Sequence, residues 1–201
     1  MIELDVHGSR VTLVPAIKGL VDEGHRISGI IGSRDFDCVG LSISVEELNG
    51  LRNLDPSSEY EMSNVEMAYA KLLSDFGEVQ VPPPCFYQAI LVADLKGVPT
   101  EALDMDDMAY TDAYCDLIKM RDMFRESMIS KRILRTKFDV TTAESFVTDW
   151  DRRINSPKGF RLLENRREEF IADRIKVLTD SYHRILAIVD MERSDGVVRI
   201  L

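Results

Sequence analysis

Two short apolar runs constrain the fold of this chain more than any other feature. One is "CVGL" in the segment from Cys38 to Ile43, and the other is "ILAIV" from Ile185 to Val189. Uninterrupted apolar runs of this length are typical of strands buried on both faces, which occur in parallel sheets covered by helices. The two runs therefore predict an α/β protein with a central sheet.

An alternating pattern opens the chain. Apolar and polar residues alternate over residues 2–6 and 10–17, and "HGS" between them is a turn signal. Period-two alternation around a short polar turn is typical of a β-hairpin. We expect this hairpin to enter the sheet ahead of the buried strands.

Helix start signals follow the predicted strands. The capping box Ser44–Glu47 starts a short helix that Gly50 would end, and the capping box Ser63–Glu66 starts one that Gly77 would end. Strand and helix signals thus alternate along the first half of the chain. This alternation predicts a mostly parallel or mixed central sheet flanked by helices.

The segment after residue 80 repeats this order. Three prolines force an extended entry, one of them can serve as the first helical residue, and the helix from about Cys85 ends at Gly97. A short strand, Thr100–Leu103, then runs into Asp104. We expect another strand of the same sheet here.

The second half of the chain is predominantly helical in pattern. Residues 100–156 contain neither Gly nor Pro, and their apolar residues recur near helical spacing, which predicts two or three long helices, the last capped by Thr141 through Glu144. A further helix, Phe160–Thr179, precedes the closing strand. After that strand, Gly196 is expected to turn the chain into an edge strand, "VVRIL".

These signals predict one domain over residues 1–201, with a helical annex at about residues 106–154. The annex is also a candidate homodimer surface. No internal repeat, low-complexity tract or long linker divides the chain.

Composition limits the classes of partner and compartment. The chain has 25 Lys and Arg against 35 Asp and Glu, a formal net charge of −10, which argues against nucleic acid and anionic lipid as partners. No apolar run approaches the roughly 20 residues of a membrane helix, and the first residues lack a secretory pattern. Three widely spaced cysteines in apolar contexts suggest reduced core thiols. We expect a cytoplasmic protein.

Acidic residues follow two of the predicted strands. Asp104 and Asp106 come after one strand, and Asp190 and Glu192 after the other. Ligands of parallel sheets bind beyond the carboxyl ends of the strands, and gathered carboxylates suit Mg²⁺ or Mn²⁺. Asp104, Asp106 and Asp190 are therefore candidate metal ligands. Capping of the following helix is the competing interpretation for the first pair.

The closing segment "DMERSDG" places Arg193 among three acids. Arg193 can pair with these acids or face a bound anion, and a solvated turn with internal ion pairs is the alternative. A basic patch, Lys131–Lys137, is interpreted as a solvated helix face or a contact for an acidic partner.

The order of elements resembles the TraB/PrgY-like family. The resemblance rests on the opening strand, the "D-x-V-G-L" strand, the "PPP" helix leading to "GVPTEALDMDD", an arginine-bearing penultimate helix and the final "ILAIV" strand. The chain is similar to a short archaeal-style member. Some members of that family are metal-dependent proteases with two G-x-x-H motifs, a glutamate after the second strand and an arginine on a late helix.

The residues of this chain depart from that pattern. The first motif position falls on Pro15–Lys18, so Lys18 replaces one histidine, and the second falls on Asp190–Arg193, so Arg193 replaces the other. The glutamate position falls near Ser42 or Ser44. The late-helix arginine is retained as Arg167, with Arg166 as an alternative.

These substitutions place positive charges where a divalent cation would sit. We therefore expect a binding or regulatory module that has lost the histidine metal site and needs no cofactor. Its candidate pocket holds a small anionic or zwitterionic molecule, or else is a closed salt-bridge network, and contains Lys18, Arg167, Asp190, Glu192 and Arg193. The alternative is a divergent Mg²⁺- or Mn²⁺-dependent hydrolase with a carboxylate site at the strand ends.

Overall fold

The computed structural model describes residues 1–54 and 62–201. Five strands form one mixed sheet in this part of the chain, which confirms the predicted α/β class. The strands are β1 Ile2–Val6, β2 Ser9–Ala16, β3 Cys38–Leu41, β4 Thr100–Ala102 and β5 Arg184–Asp190.

Helices account for most of the remaining described residues. They are α1 Val21–Ser33, α2 Val45–Arg52, α3 Asn64–Leu73, α4 Pro84–Lys96, α5 Asp107–Leu117, α6 Met120–Arg132, α7 Ala143–Ile154, α8 Lys158–Leu178 and α9 Met191–Ile200. A short 3₁₀ turn, Ile133–Arg135, follows α6.

The sheet has the order β1-β2-β5-β3-β4. β1 and β2 form the expected antiparallel hairpin, and its turn uses His7 and Gly8, both with positive φ. The other three pairings are parallel, with Val14 opposite Ile188 and Gly40 opposite Ala187. The last strand of the chain therefore lies at the centre of the sheet.

Helices cover both faces of the sheet, as a buried parallel strand requires. Leu186 and Ile188 of β5 face a core that includes residues of α1, α2 and α4. Ile185, Ala187 and Val189 face the opposite core, which includes residues of α8 and α9. Alternate side chains of one strand thus supply two separate cores.

A third core lies beyond the carboxyl ends of the strands. It joins Ile17 and Leu20, just after β2, to apolar residues of α3 and α7. Its centre is aromatic, with the rings of Phe138 and Trp150 4.9 Å apart and Phe146 packed against both. This cluster covers part of the edge of the sheet where a ligand site was expected.

Several predicted helix ends were wrong. Gly50 lies inside α2, and α3 ends before Gly77 is reached. Thr142, through Ser145, caps α7 in place of Thr141. In contrast, Pro84 is the first residue of α4, and Gly97 ends that helix in the left-handed conformation, as predicted.

The largest correction concerns the end of the chain. The predicted turn and edge strand around Gly196 are absent from the described residues, because α9 begins directly after β5 and contains Gly196. A Cβ at Gly196 would lie 1.9 Å from Oε2 of Glu168 on α8. The absence of a side chain at Gly196 therefore allows α9 to pack closely on α8. In the sequence alone, a glycine with this packing role looks the same as a glycine in a turn.

The three cysteines differ in exposure. Cys38 and Cys85 are buried as expected, but Cys115 is exposed, so only two of the three are core thiols.

Among residues 1–54 and 62–201, no helix combines the length and hydropathy needed to cross a bilayer.

Candidate functional site

The carboxyl ends of the parallel strands bring distant segments of sequence together. Lys18 lies two residues after β2, Ser42 directly follows β3, and Asp190 is the last residue of β5. Asp104 lies two residues after β4. The hydroxyl of Ser42 accepts a hydrogen bond of 2.9 Å from the backbone N–H of Asp190, which joins the ends of two neighbouring strands.

Asp190 is the centre of a buried ion network. Its side chain is fully buried, and its Oδ2 accepts from Lys18 Nζ at 2.9 Å and from Arg193 Nη1 at 2.6 Å. Arg193 also pairs with Glu192 at 3.2 Å. The Lys18 side chain is 35% exposed, so it connects the network to solvent.

Helix α8 extends the network away from Asp190. Glu164 accepts from Arg193 Nη2 and, at 3.3 Å, from Arg167 Nη1. Arg167 continues to Asp104, which it contacts through both Nε and Nη2, and its guanidinium lies 5.9 Å from the ring centre of Tyr110. Charged groups from β5, α8, α9 and the loop after β4 therefore form one continuous chain of contacts.

The charges of this network stabilise one another. Burial by itself raises the pKa of Asp190, but Lys18 and Arg193 outweigh it and hold that pKa below its ordinary value. The pKa of Glu164 is also lowered, because Arg193 and Arg167 outweigh the effect of burial. In the opposite direction, the neighbouring carboxylates raise the pKa of Lys18 despite its desolvation. Lys18, Glu164 and Asp190 therefore remain ionised near neutral pH.

Asp151 on α7 behaves differently. Burial raises its pKa to about 6, and the nearby Glu192 and Glu164 add to this shift while Arg193 opposes it. Its only described hydrogen-bond donor is the side-chain amide of Asn155, at 2.8 Å. Asp151 is thus an acid next to the network that titrates near pH 6.

Three buried polar atoms of the network have no hydrogen-bond partner among the described residues. They are Oδ1 of Asp190, Oε2 of Glu192 and Nε of Arg193. Buried polar atoms are normally satisfied, and each one left alone costs about 1–3 kcal/mol. Two acceptors and one donor of the network therefore lack a partner among the described residues, and all three atoms are closed to solvent.

The structure brings together the five side chains predicted from sequence. Lys18, Asp190, Glu192 and Arg193 are in mutual contact, and Arg167 joins them through Glu164. Arg166, the alternative to Arg167, instead pairs with Glu169 at the surface.

Sequence reasoning missed Glu164 and Asp151. Glu164 precedes Arg167 by three residues and therefore lies on the same face of α8, which was the available signal. Asp151 had no comparable signal, because only the packing of α7 near α9 brings it to the network.

The candidate metal ligands have other partners. Asp106 caps α5 by accepting the N–H of Ala109 at 2.7 Å, so the capping interpretation is correct for this residue. Asp104 is engaged by Arg167, and Asp190 by Lys18 and Arg193. The described residues include no group of three or more His, Cys, Asp or Glu side chains placed to hold a metal ion. The carboxylates of Asp104 and Asp190 are paired with the positively charged side chains of Lys18, Arg167 and Arg193, which would repel Mg²⁺ or Mn²⁺.

No protein family model matches this chain. No curated protein matches it either. The TraB/PrgY-like resemblance therefore stays a prediction from the order of elements.

Proposed function

We propose that this protein is a binding module that holds a small zwitterionic molecule at the carboxyl edge of its sheet. The proposal is carried by three polar atoms, on Asp190, Glu192 and Arg193, that have no partner among residues 1–54 and 62–201 and belong to close neighbours in one network. In open α/β sheets, this edge is the usual place for a ligand.

The charge of the network favours a zwitterion over a simple anion. The network contains three cations and four carboxylates, so it carries one excess negative charge when all of these groups are ionised. Its members are Lys18, Arg167, Arg193, Asp104, Glu164, Asp190 and Glu192. Two of the unpartnered atoms are carboxylate oxygens, which accept hydrogen bonds from an ammonium group. The Nε–H of Arg193 can donate to a carboxylate. A ligand with both groups carries the kinds of donor and acceptor that these three atoms lack.

Such a ligand would reach the network at Lys18. Of the two residues that form an ion pair with Asp190, Lys18 is more exposed than Arg193, and its side chain is long and flexible. Displacement of its ammonium by that of a ligand would preserve the charge around Asp190. Binding then exchanges an internal ion pair for an external one.

Thermal unfolding with small probes tests this function. The probes are glycine, β-alanine and 4-aminobutanoate, with acetate and ethylamine as single-charge controls. A ligand at 100 times its dissociation constant adds about 2.7 kcal/mol, which should raise the midpoint by about 5–10 °C in a chain of this length. We expect a shift with at least one zwitterion and none with acetate or ethylamine.

Two variants separate this site from general effects. Glu192→Gln keeps the shape of the side chain but loses the charge that holds an ammonium, so the shift should disappear. Glu169→Gln removes an exposed carboxylate outside the network and should keep it. If no zwitterion produces a shift, or if Glu192→Gln responds like the wild type, the proposal is wrong and the network is a structural ion cluster. A shift with Mn²⁺ or Mg²⁺ that Asp190→Asn abolishes would support the hydrolase alternative instead.

A further inference from the structure

A second, separate feature is a groove lined by arginines. It lies between α6, α7 and the start of α8 and has a volume of about 900 Å³. Its lining includes Arg125 and Arg132 from α6, Arg152 and Arg153 from α7, and Arg161 from α8. We call these five residues the arginine groove. None of the described residues that line it is acidic.

Most of this positive charge is not neutralised within the described part of the chain. Arg152 and Arg153 share one carboxylate, that of Asp149. Arg125, Arg132 and Arg161 form no ion pair with residues 1–54 or 62–201. The arginine groove therefore holds an excess of four positive charges in a chain whose formal net charge is −10.

This concentration of positive charge contrasts with the negative net charge of the whole chain. Like charges around one groove repel each other, and an acidic chain offers many carboxylates that could have paired with them. Guanidinium groups bind phosphate oxygens in a planar, bidentate manner, which makes clustered arginines typical of phosphate sites. The arrangement fits a ligand that carries several negative charges close together.

Two of the arginines are already held in place. Asp149 is buried, and it accepts from Arg152, from Nε of Arg153 at 2.8 Å and from the backbone N–H of Asp139 at 3.0 Å. The guanidinium of Arg153 also lies 5.6 Å from the ring centre of Phe138. Arginines that are fixed before binding lose less conformational freedom when a ligand arrives.

The remaining lining provides other kinds of contact. Met128 and Ile129 of α6 supply apolar surface, while Thr136 and Ser156 supply hydroxyl groups. A volume near 900 Å³ lies within the usual range for small-molecule sites. The groove can therefore hold a polyphosphate chain together with an attached ring system.

We propose that the arginine groove is a binding site for a small molecule with a di- or triphosphate chain, of the nucleoside polyphosphate class. The strongly negative net charge of the protein disfavours a longer polyanion such as nucleic acid, whose phosphates would extend over acidic surface. This site is independent of the ion network at the sheet edge, so either proposal can fail without the other.

Isothermal titration calorimetry with the whole protein tests this site. The two probes are inorganic triphosphate and adenosine triphosphate, without divalent metal, and we expect both to bind. Adenosine triphosphate should bind more tightly, because its ring adds contacts with Met128 and Ile129. Equal affinity for the two probes would overturn the assignment to the nucleoside polyphosphate class.

Single substitutions locate the binding. Arg125→Gln, Arg132→Gln and Arg161→Gln are each expected to weaken the affinity about tenfold or more, which corresponds to loss of one charge-assisted hydrogen bond of about 1.5 kcal/mol. Lys131→Gln, an exposed cation of the same helix outside the groove lining, should change it less than about twofold. Each variant removes an exposed side chain, so circular dichroism should show an unchanged fold.

Several outcomes would overturn the proposal. These are the absence of heat with either probe, unchanged affinity in the three groove variants, and an equal loss in Lys131→Gln. Tighter binding of a single-stranded oligonucleotide or a poly-glutamate peptide than of adenosine triphosphate would assign the groove to a macromolecule instead.

Discussion

Arg193 follows Asp190 by three residues and places its Nη1 2.6 Å from the Oδ2 of that aspartate, although the two belong to different elements. Asp190 ends β5, and Arg193 lies in the first turn of α9. The abrupt passage from strand to helix makes this contact, because an extended chain would separate the two side chains. The same passage brings Arg193 to Glu164 on α8.

Asp190→Asn should destabilise the fold by about 3–5 kcal/mol. The substitution leaves Lys18 and Arg193 without their shared buried carboxylate, and removal of one partner from a buried ion pair is strongly unfavourable. Urea unfolding at pH 7 measures the effect. Glu169→Gln, in an exposed pair with Arg166, should cost less than about 1 kcal/mol. Equal effects of the two substitutions would contradict the central role of Asp190.

Two aspartates of α7 should affect pH dependence in opposite directions. Burial raises the pKa of Asp151 to about 6, because the folded state favours the protonated carboxyl. This group therefore stabilises the folded state below about pH 4, and its stabilising contribution is lost as the pH rises through 6. Asp151→Asn should therefore stabilise the protein by about 1–3 kcal/mol at pH 7.5 and have little effect at pH 4. Urea unfolding at several pH values gives the comparison.

Asp149 provides the matched control. Burial acts to raise its pKa, but hydrogen bonds from Arg152, Arg153 and the backbone of Asp139 lower it to about 2. Its contribution is present above about pH 4 and is lost as the pH falls through 2. Asp149→Asn should therefore destabilise the protein at pH 7.5. A loss of stability in Asp151→Asn at that pH would show that its carboxylate is paired in solution.

Two glycines of α1 should respond oppositely to the same substitution. A Cβ at Gly24 would lie 2.9 Å from Cβ of Pro84 and 3.1 Å from its carbonyl oxygen, so Gly24→Ala must push α1 away from α4. We expect a loss of about 1–3 kcal/mol in thermal or urea unfolding. Gly29 is exposed with no atom near its Cβ position, and Gly29→Ala should add about 0.5–1 kcal/mol through helix propensity. If both substitutions stabilise the protein, α1 and α4 do not pack this closely.

The helical annex carries a predicted homodimer surface. Met120 and Phe124 of α6 are 81% and 67% exposed, and exposed apolar surface of this kind is typical of protein contacts. Light scattering at micromolar concentration should give the mass of two chains, and Phe124→Asp should give the mass of one. Leu95→Asp, at an exposed leucine of α4, is the control and should leave the mass unchanged. A monomeric wild type would exclude this dimer.

Local signals in the sequence determined much of the fold. Uninterrupted apolar runs marked β3 and β5 because central parallel strands are buried on both faces, and serine–glutamate pairs marked the starts of α2 and α3 because their capping bonds span only three residues. The positions of Lys18, Asp104 and Asp190 after strands followed from the same patterns. These features depend on residues close together in the chain.

The tertiary structure alone decided what those residues contact. Glu164 reaches Arg193 across 29 residues of sequence, and Lys18 reaches Asp190 across 172. The role of Gly196 likewise depends on Glu168 of a neighbouring helix, so its sequence signal pointed to a turn. Partners of this kind are set by how helices pack on the sheet, which no local pattern records. Hence the sequence by itself determined the edge of the sheet where the charged residues lie, and packing determined which of these charges are paired among the described residues.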